Sequence, residues 1–250
     1  MGELRALPLQ GMGEIRPGDS LAGAIVVALR RRNLRLRKGD ILVVTHKVVS
    51  KAEGRVVRLD AVKPSARAAR WARRSGHDPR VAELALRESR RVVRRGHGVL
   101  ITETRHGFTC ANSGVDLSNV DGGTSAALLP RDPDRSAARL HRALKRRLGL
   151  SIPVIVTDTF GRPWRLGLSE AAIGLAGMTP FRDYRGRRDP YGYQLHASLE
   201  AVADELAAVA GLACGKLDRA PVCVIRGFRY ERGRGRGRDL LRSRREDLFR

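Results

Sequence analysis

Residues 153–165 read Pro-Val-Ile-Val-Thr-Asp-Thr-Phe-Gly-Arg-Pro-Trp-Arg, and their reading decides the fold. Val154, Ile155 and Val156 form a short β-branched run, the pattern of a fully buried strand. The run passes into Thr157, Asp158 and Thr159, then into a turn marked by Gly161 and Pro163. An acid between two hydroxyls at the carboxyl end of a strand sits where α/β folds bind ligands. Hard oxygens suit Mg²⁺ or Mn²⁺, and the arginine forks of Arg162 and Arg165 suit phosphates and carboxylates. A cap on the following segment accounts for Asp158 equally well.

Outward from this strand, helices and strands alternate. Helices are predicted over 19–32, 65–75, 79–94, 132–148 and 195–213, the last being the longest and amphipathic. Strands are predicted over 41–45, 55–59, 99–104 and 222–225, with 108–111 as the hairpin partner of 99–104. The tail 239–250 reads as a further helix. The fold class is mixed, α/β or α+β, with no P-loop and no Rossmann fingerprint.

A chain of 250 residues, 42% of them hydrophobic, can bury one large core or two small intertwined ones. No stretch approaches the ~20 apolar residues of a membrane helix, and the N-terminus lacks the apolar centre of a signal peptide. A soluble cytoplasmic protein is expected. Cys110, Cys214 and Cys223 lack C-x-x-C spacing, so neither a zinc site nor a disulfide framework is expected.

The net charge of +23 favours anionic partners. Only six of the 49 basic residues are lysine, and the basic helices carry almost no aromatics for stacking on bases. Acidic small molecules are therefore the expected partners rather than nucleic acid. The alternating Arg-Gly run at 232–238 resembles an RNA-binding segment, and a solvated flexible loop is the expected structure.

Three further clusters carry candidate chemistry. Residues 110–119 place Asn112, Ser113, Gly114, Asp116 and Asn119 directly after a predicted strand. The composition is that of a surface loop, yet Asp116 and Asp158 together could chelate one hard cation, with phosphates completing its shell. Residues 45–54 form a strand-end loop holding His46, Lys47 and Lys51, and lysine is a compact charge for phosphate oxygens. Residues 212–219 fail the P-loop test, since Gly211 and Gly215 are too close, Leu217 replaces Ser/Thr and a helix precedes. Gly215 there reads as a helix cap. The Gly11-Met12-Gly13 turn is weak by itself.

Ser50-Lys51-Ala52-Glu53-Gly54, Asn112-Ser113-Gly114-Val115-Asp116 with Ser118-Asn119, Thr157-Asp158-Thr159 with Gly161-Arg162, and Ala172-Ile173-Gly174 stand in one order and spacing. In this the chain resembles the coenzyme F420:L-glutamate ligases, both the archaeal stand-alone enzymes and the N-terminal half of the actinobacterial type. The resemblance spans 7–250, including Val224-Ile225-Arg226-Gly227 and the ending 246–250. It implies a single gamma-glutamyl ligase unit over 1–250, of two interleaved subdomains. No nitroreductase-like domain is expected after it, and an intertwined homodimer is.

The resemblance also implies the chemistry. L-glutamate is added to the carboxylate of F420-0 at the expense of GTP, through an acyl phosphate, and further gamma-linked glutamates can follow. The ions are Mg²⁺ or Mn²⁺, with K⁺ as a further candidate. Asp116 and Asp158 are expected to hold the first metal and Thr159 the second, and Arg162 joins the two acids in the catalytic set. His46, Lys47, Lys51, Asn119, the turn Met12, Gly13, Glu14 and Ile15, and the loop with Gly215 and Lys216 are expected to contact GTP. Archaeal members offer an acid where this chain has Lys216, and an ammonium cannot ligate a cation. Either Asp218 replaces that acid or Lys216 addresses a phosphate. The alternatives are a basic RNA-binding protein and a related ligase acting on another acidic acceptor.

Overall fold

The apolar run at 154–156 lies on an interior strand of a five-stranded sheet covered on both faces. In this computed structural model, which describes residues 2–243 and 245–247, the early strands are β1 (Arg5–Leu9), β2 (Ile41–Thr45), β3 (Val56–Arg58), β4 (Ser89–Gly96), β5 (Val99–Thr104) and β6 (Thr109–Ala111). The later ones are β7 (Ser125–Ala127), β8 (Val154–Arg162), β9 (Arg165–Ala176), β10 (Arg182–Asp183), β11 (Leu199–Glu200) and β12 (Val222–Arg226). The α-helices are α1 (Leu21–Arg31), α2 (His46–Ala52), α3 (Ala66–Ser75), α4 (Pro79–Glu88), α5 (Pro133–Leu148) and α6 (Val202–Cys214).

The main sheet runs β1-β12-β2-β8-β9. β2 and β8 lie parallel from Leu42↔Val154 to Thr45↔Thr157, and the other neighbours are antiparallel. Alternate residues feed two cores. Leu42, Val44, Val154 and Val156 pack under α1 and α5, while Ile41, Val43 and Ile155 pack under α6. Burial on both faces is why these strands read as unbroken apolar runs. A smaller cluster of Leu59, Val62, Leu84, Ala126 and Leu128 sits beneath the β3–β7 pair.

Several helix ends follow sequence chemistry. The side chains of Ser20, Ser65, Asp78 and Asp132 each accept a hydrogen bond from a first-turn amide of α1, α3, α4 and α5 respectively.

The structure departs from the sequence reading at several places. The helix expected over 79–94 stops at Glu88, and Ser89–Gly96 is a strand paired with β5. Val92 and Val93 favour the strand, and the His97-Gly98 turn between Gly96 and Val99 has positive φ at both residues, the primed hairpin geometry. Residues 45–54 are a short helix rather than a loop, because Val48 and Val49 bury one face in the main core. The strand at 154–157 continues to Arg162, and Gly161 lies inside it, opposite Leu168. Its partner β9 carries small and polar residues that give a weak strand pattern. The helix expected over 195–213 begins only at Val202, because Leu199 and Glu200 pair with Asp183 and Arg182. At 16 residues α5 is longer than α6, which has 13.

A further departure is the Arg-Gly run, which is a packed strap. Its arginines are exposed while Gly233 and Gly235 are half-buried and Gly237 is buried. A β-carbon on Gly233 would meet Thr179 Cγ2 at 2.6 Å, one on Gly235 would meet Pro180 Cδ at 2.5 Å, and one on Gly237 the Ile173 carbonyl at 2.5 Å. The Gly237 amide donates to Asp134 Oδ1 at 2.6 Å. Alternating glycine here is the signature of close backbone approach. The helix expected over 239–250 does not form among the described residues: the 3₁₀ turn Gly237–Leu240 ends at its start, 241–243 and 245–247 are not helical, and 244 and 248–250 lie outside the described residues.

Candidate active site

Asp158 stands one residue beyond the last parallel pair, Thr45↔Thr157, where β8 leaves β2 and continues with β9 as a two-stranded ribbon. The sequence reading put Asp158 at the carboxyl end of the strand; it lies instead inside β8, at the carboxyl edge of the parallel pair alone. A bulge in β9 lies at the same level: Val156 pairs with Gly174 and Thr157 with Ala172, leaving Ile173 unpaired. The amide of Ala172 is taken up by Asp204 Oδ1 at 2.8 Å. Burial raises the Asp204 carboxyl above its usual range against the pull of that bond. The extra residue flips the facing of everything beyond it. Ala172 and Leu175, three apart, both face α6, and Glu170 follows on the α6 side.

Consecutive strand residues point to opposite faces, so Asp158 and Thr159 look into two different settings. Asp158, 8% exposed, faces the first turn of α2, whose His46 is 1% exposed. His46 Nε2 approaches Asp158 Oδ1 to 3.3 Å without hydrogen-bond alignment, and His46 Nδ1 meets Ser50 Oγ at 3.3 Å. Oδ1 accepts the Thr159 amide at 2.7 Å. Beside it the buried Cys110 thiol is pushed up to about 12, by burial first and then by the Asp158 charge.

The neighbouring α2 residue, Lys47, extends to Asp116 Oδ2 at 2.7 Å and Ser118 Oγ at 2.6 Å. Backbone bonds from Asp116 to Ala127 in both directions anchor that acid. Burial pushes the Asp116 carboxyl up, but the Lys47 ammonium and the Ser118 amide outweigh it and hold it below its usual range. One turn on, Lys51 pairs with Glu14, tying α2 to the Gly11–Ile15 turn.

Thr159 sees a different cluster. Its hydroxyl donates to Glu170 Oε1 at 2.5 Å, and Lys216 Nζ lies 2.5 Å from Thr159 Oγ1 and 3.1 Å from Glu170 Oε1. Lys216 reaches inward because α6 ends at Gly215, whose φ of 59° and ψ of −168° suit glycine alone. Asn119 Nδ2 contacts the Lys216 carbonyl at 3.5 Å, joining the two loops.

Both settings open into one groove of about 1360 Å³. Its walls include Met12, Gly13, Glu14, Ile15, His46, Lys47, Lys51, Asn119, Asp158, Thr159, Gly215 and Lys216, residues brought together from five separate sequence segments. Three of the six lysines of the chain lie there, with Arg16, Arg58 and Arg219. Asp116 stands behind Lys47 rather than on the wall. Arg162 does not come in: it lies four residues, roughly 13 Å, along the ribbon, with its Nη2 on the Leu166 carbonyl at 3.2 Å. Glu170 is a wall residue that sequence reasoning missed. Reading 165–176 as the antiparallel partner of 154–162 would have set it opposite Thr159.

Comparison with known proteins shows what the chain is similar to. The family model described as F420-0:Gamma-glutamyl ligase matches residues 11–227. The chain is 45% identical over 97% of both chains to the coenzyme F420:L-glutamate ligase of Methanothermobacter thermautotrophicus. It is 43% identical to the protein of that name from Methanopyrus kandleri, over 99% of this chain and 98% of the other. For the one from Methanocaldococcus jannaschii the identity is 41% over 86% of both.

Proposed function

The chain belongs to the F420-0:gamma-glutamyl ligase family and is an enzyme of that kind, and we propose that it joins L-glutamate to the carboxylate of F420-0 by spending GTP. The observation that carries the nucleotide reading is the groove itself. Lys47, Lys51, Lys216 and Arg219 converge from separate segments on a wall that also holds the buried Asp158. Lysine suits phosphate oxygens as a point charge, and cations fixed beforehand cost no reorganisation when charge moves.

In the proposed sequence the F420-0 carboxylate attacks the terminal phosphorus of GTP and GDP leaves. The glutamate amine then attacks the acyl carbon, phosphate leaves, and the amine gives up a proton. The work of the protein is positioning and charge compensation. Lys47 and Lys51 hold phosphate oxygens from one wall, and Lys216 and Arg219 do so from the other.

Asp158 fits a divalent cation. It is a buried acid whose histidine neighbour is misaligned for hydrogen bonding, with Asp116 within reach of the adjacent Lys47. Among the described residues no group of three or more His, Cys, Asp or Glu side chains is gathered for a metal. One carboxylate, Asp158, with phosphate and water oxygens is ordinary coordination for Mg²⁺, while Asp116 is taken up by Lys47. Bound there, the cation would neutralise phosphate charge. The Thr159 side does not fit a second one, because Lys216 already occupies the acceptors Thr159 and Glu170.

Pairing of two chains is part of the proposal. Leu166 and Leu168 stand exposed on the ribbon, and covering them would remove apolar surface from water. Sedimentation should give twice the mass of one chain. The chemistry is tested by incubating the protein with F420-0, glutamate, GTP and Mn²⁺. A product heavier by one glutamyl unit is expected, with heavy oxygen from a labelled acceptor carboxylate found in the released phosphate. No product across several divalent metals would refute the acceptor. Label retained wholly in the product would refute the acyl phosphate.

A further inference from the structure

We infer that Lys216, positioned by Glu170, is a built-in cation for the terminal phosphates of the nucleotide, so that the chain takes one divalent ion per groove. This rests on the nucleotide reading above and concerns the half of the groove where Thr159 lies. Three independent features converge on it. Lys216 Nζ is 2.5 Å from Thr159 Oγ1 and 3.1 Å from Glu170 Oε1, the very oxygens a cation on this side would need. The loop that delivers it turns at Gly215 in a conformation suited to glycine. And a place has been cleared for Glu170 in the last turn of α6, where a β-carbon on Gly211 would meet Glu170 Cγ at 2.5 Å.

A glycine inside a helix is destabilising, and an ion pair with a lysine 63% exposed adds little in return. Stability alone gives no reason for the arrangement. Its consequence is positional: the carboxylate lies under the ammonium and the threonine hydroxyl beside it, leaving the outer side of the ammonium open to the groove. A phosphate oxygen arriving there meets a fixed positive charge with no metal needed.

The test counts metal and nucleotide binding separately, without turnover. Mn²⁺ is titrated by electron paramagnetic resonance in the presence of a non-hydrolysable GTP analogue, and analogue affinity is measured by calorimetry. The intact protein should bind one Mn²⁺ per chain, and Lys216→Glu should raise the count to two. Lys216→Gln should keep the count at one and weaken the analogue by about tenfold or more, as for loss of a charged hydrogen bond. Glu170→Gln and Gly211→Ala should weaken the analogue in the same direction, with the count unchanged. Two Mn²⁺ per intact chain, or undiminished analogue affinity in Lys216→Gln, would overturn the inference. Failure of the intact protein to bind the analogue at all would instead remove the nucleotide reading, and this inference with it.

Discussion

Asp158 and Thr159 are neighbours in the chain, yet their side chains meet opposite kinds of partner. On the Asp158 side the acids are fixed by backbone and the cations come from one short helix, α2. On the Thr159 side the hydroxyl and acid sit on the ribbon and the cation comes from a loop 57 residues away in sequence. The first is a preformed acid site, short of positive charge at Asp158. The second is already neutralised from within. What separates them is the ordinary alternation of a strand, together with one extra residue in β9 that turns Glu170 toward α6. A single bulge thus brings Glu170, and with it the Lys216 ammonium, beside Thr159.

The largest expected effect comes from breaking the Asp158 side. Asp158→Asn should lower kcat/KM by roughly a thousandfold, the scale of losing a preorganised electrostatic group, while the thermal midpoint stays nearly unchanged. A large fall in midpoint with activity retained per folded molecule would make Asp158 a structural cap. Next comes Lys216→Met on the Thr159 side, expected to raise KM for GTP by about ten to a hundredfold, with kcat for the glutamyl transfer less affected. An equal fall in both parameters would put Lys216 in the chemical step.

The strap provides a control remote from both sides. Gly237→Ala should destabilise the protein by about 1–3 kcal/mol through overpacking against Ile173, with analogue affinity per folded molecule preserved. Thiol labelling sharpens the comparison further. Cys110, buried beside Asp158 and pushed up to about 12, should resist alkylation at neutral pH. Cys214 lies half-buried on the groove wall, its thiol lowered by a hydrogen bond from Cys223 against the effect of burial. It should react first and be protected by bound nucleotide; modification at Cys110 instead would contradict the placement.

The smallest effect concerns Asp116. Burial raises its carboxyl, but the Lys47 ammonium and the Ser118 amide outweigh burial and hold it below its ordinary value of 3.8. A depressed acid stabilises the fold above its unfolded value and loses that contribution as pH falls through the lower folded value. The window therefore lies below about pH 4. Lys47→Met should move the carboxyl upward in an NMR titration. No movement would break the link between α2 and Asp116.

Much of the sheet was legible because its strands are buried on both faces and read as apolar runs, as Ile41–Thr45 and Val154–Val156 do. The helix start at Ser20 was legible because capping is local chemistry. β9 was not, since Gly167, Ser169 and Glu170 have little strand character and are held by pairing with β8. Glu170 was hidden with it. Asp116, Asp158 and the lysines stood out in sequence, but which acid met which ammonium depended on contacts between distant segments. The Arg-Gly run misled for a related reason: composition suggested solvation, while the glycines were there to let Thr179, Pro180 and Ile173 approach the backbone.

The most direct measurement is the position of metal in the groove, by anomalous scattering from Mn²⁺ in crystals grown with a non-hydrolysable GTP analogue. One peak per chain is expected, beside Asp158, with the Lys216 ammonium against the terminal phosphate. A peak coordinated by Thr159 and Glu170, with Lys216 swung away, would contradict that arrangement.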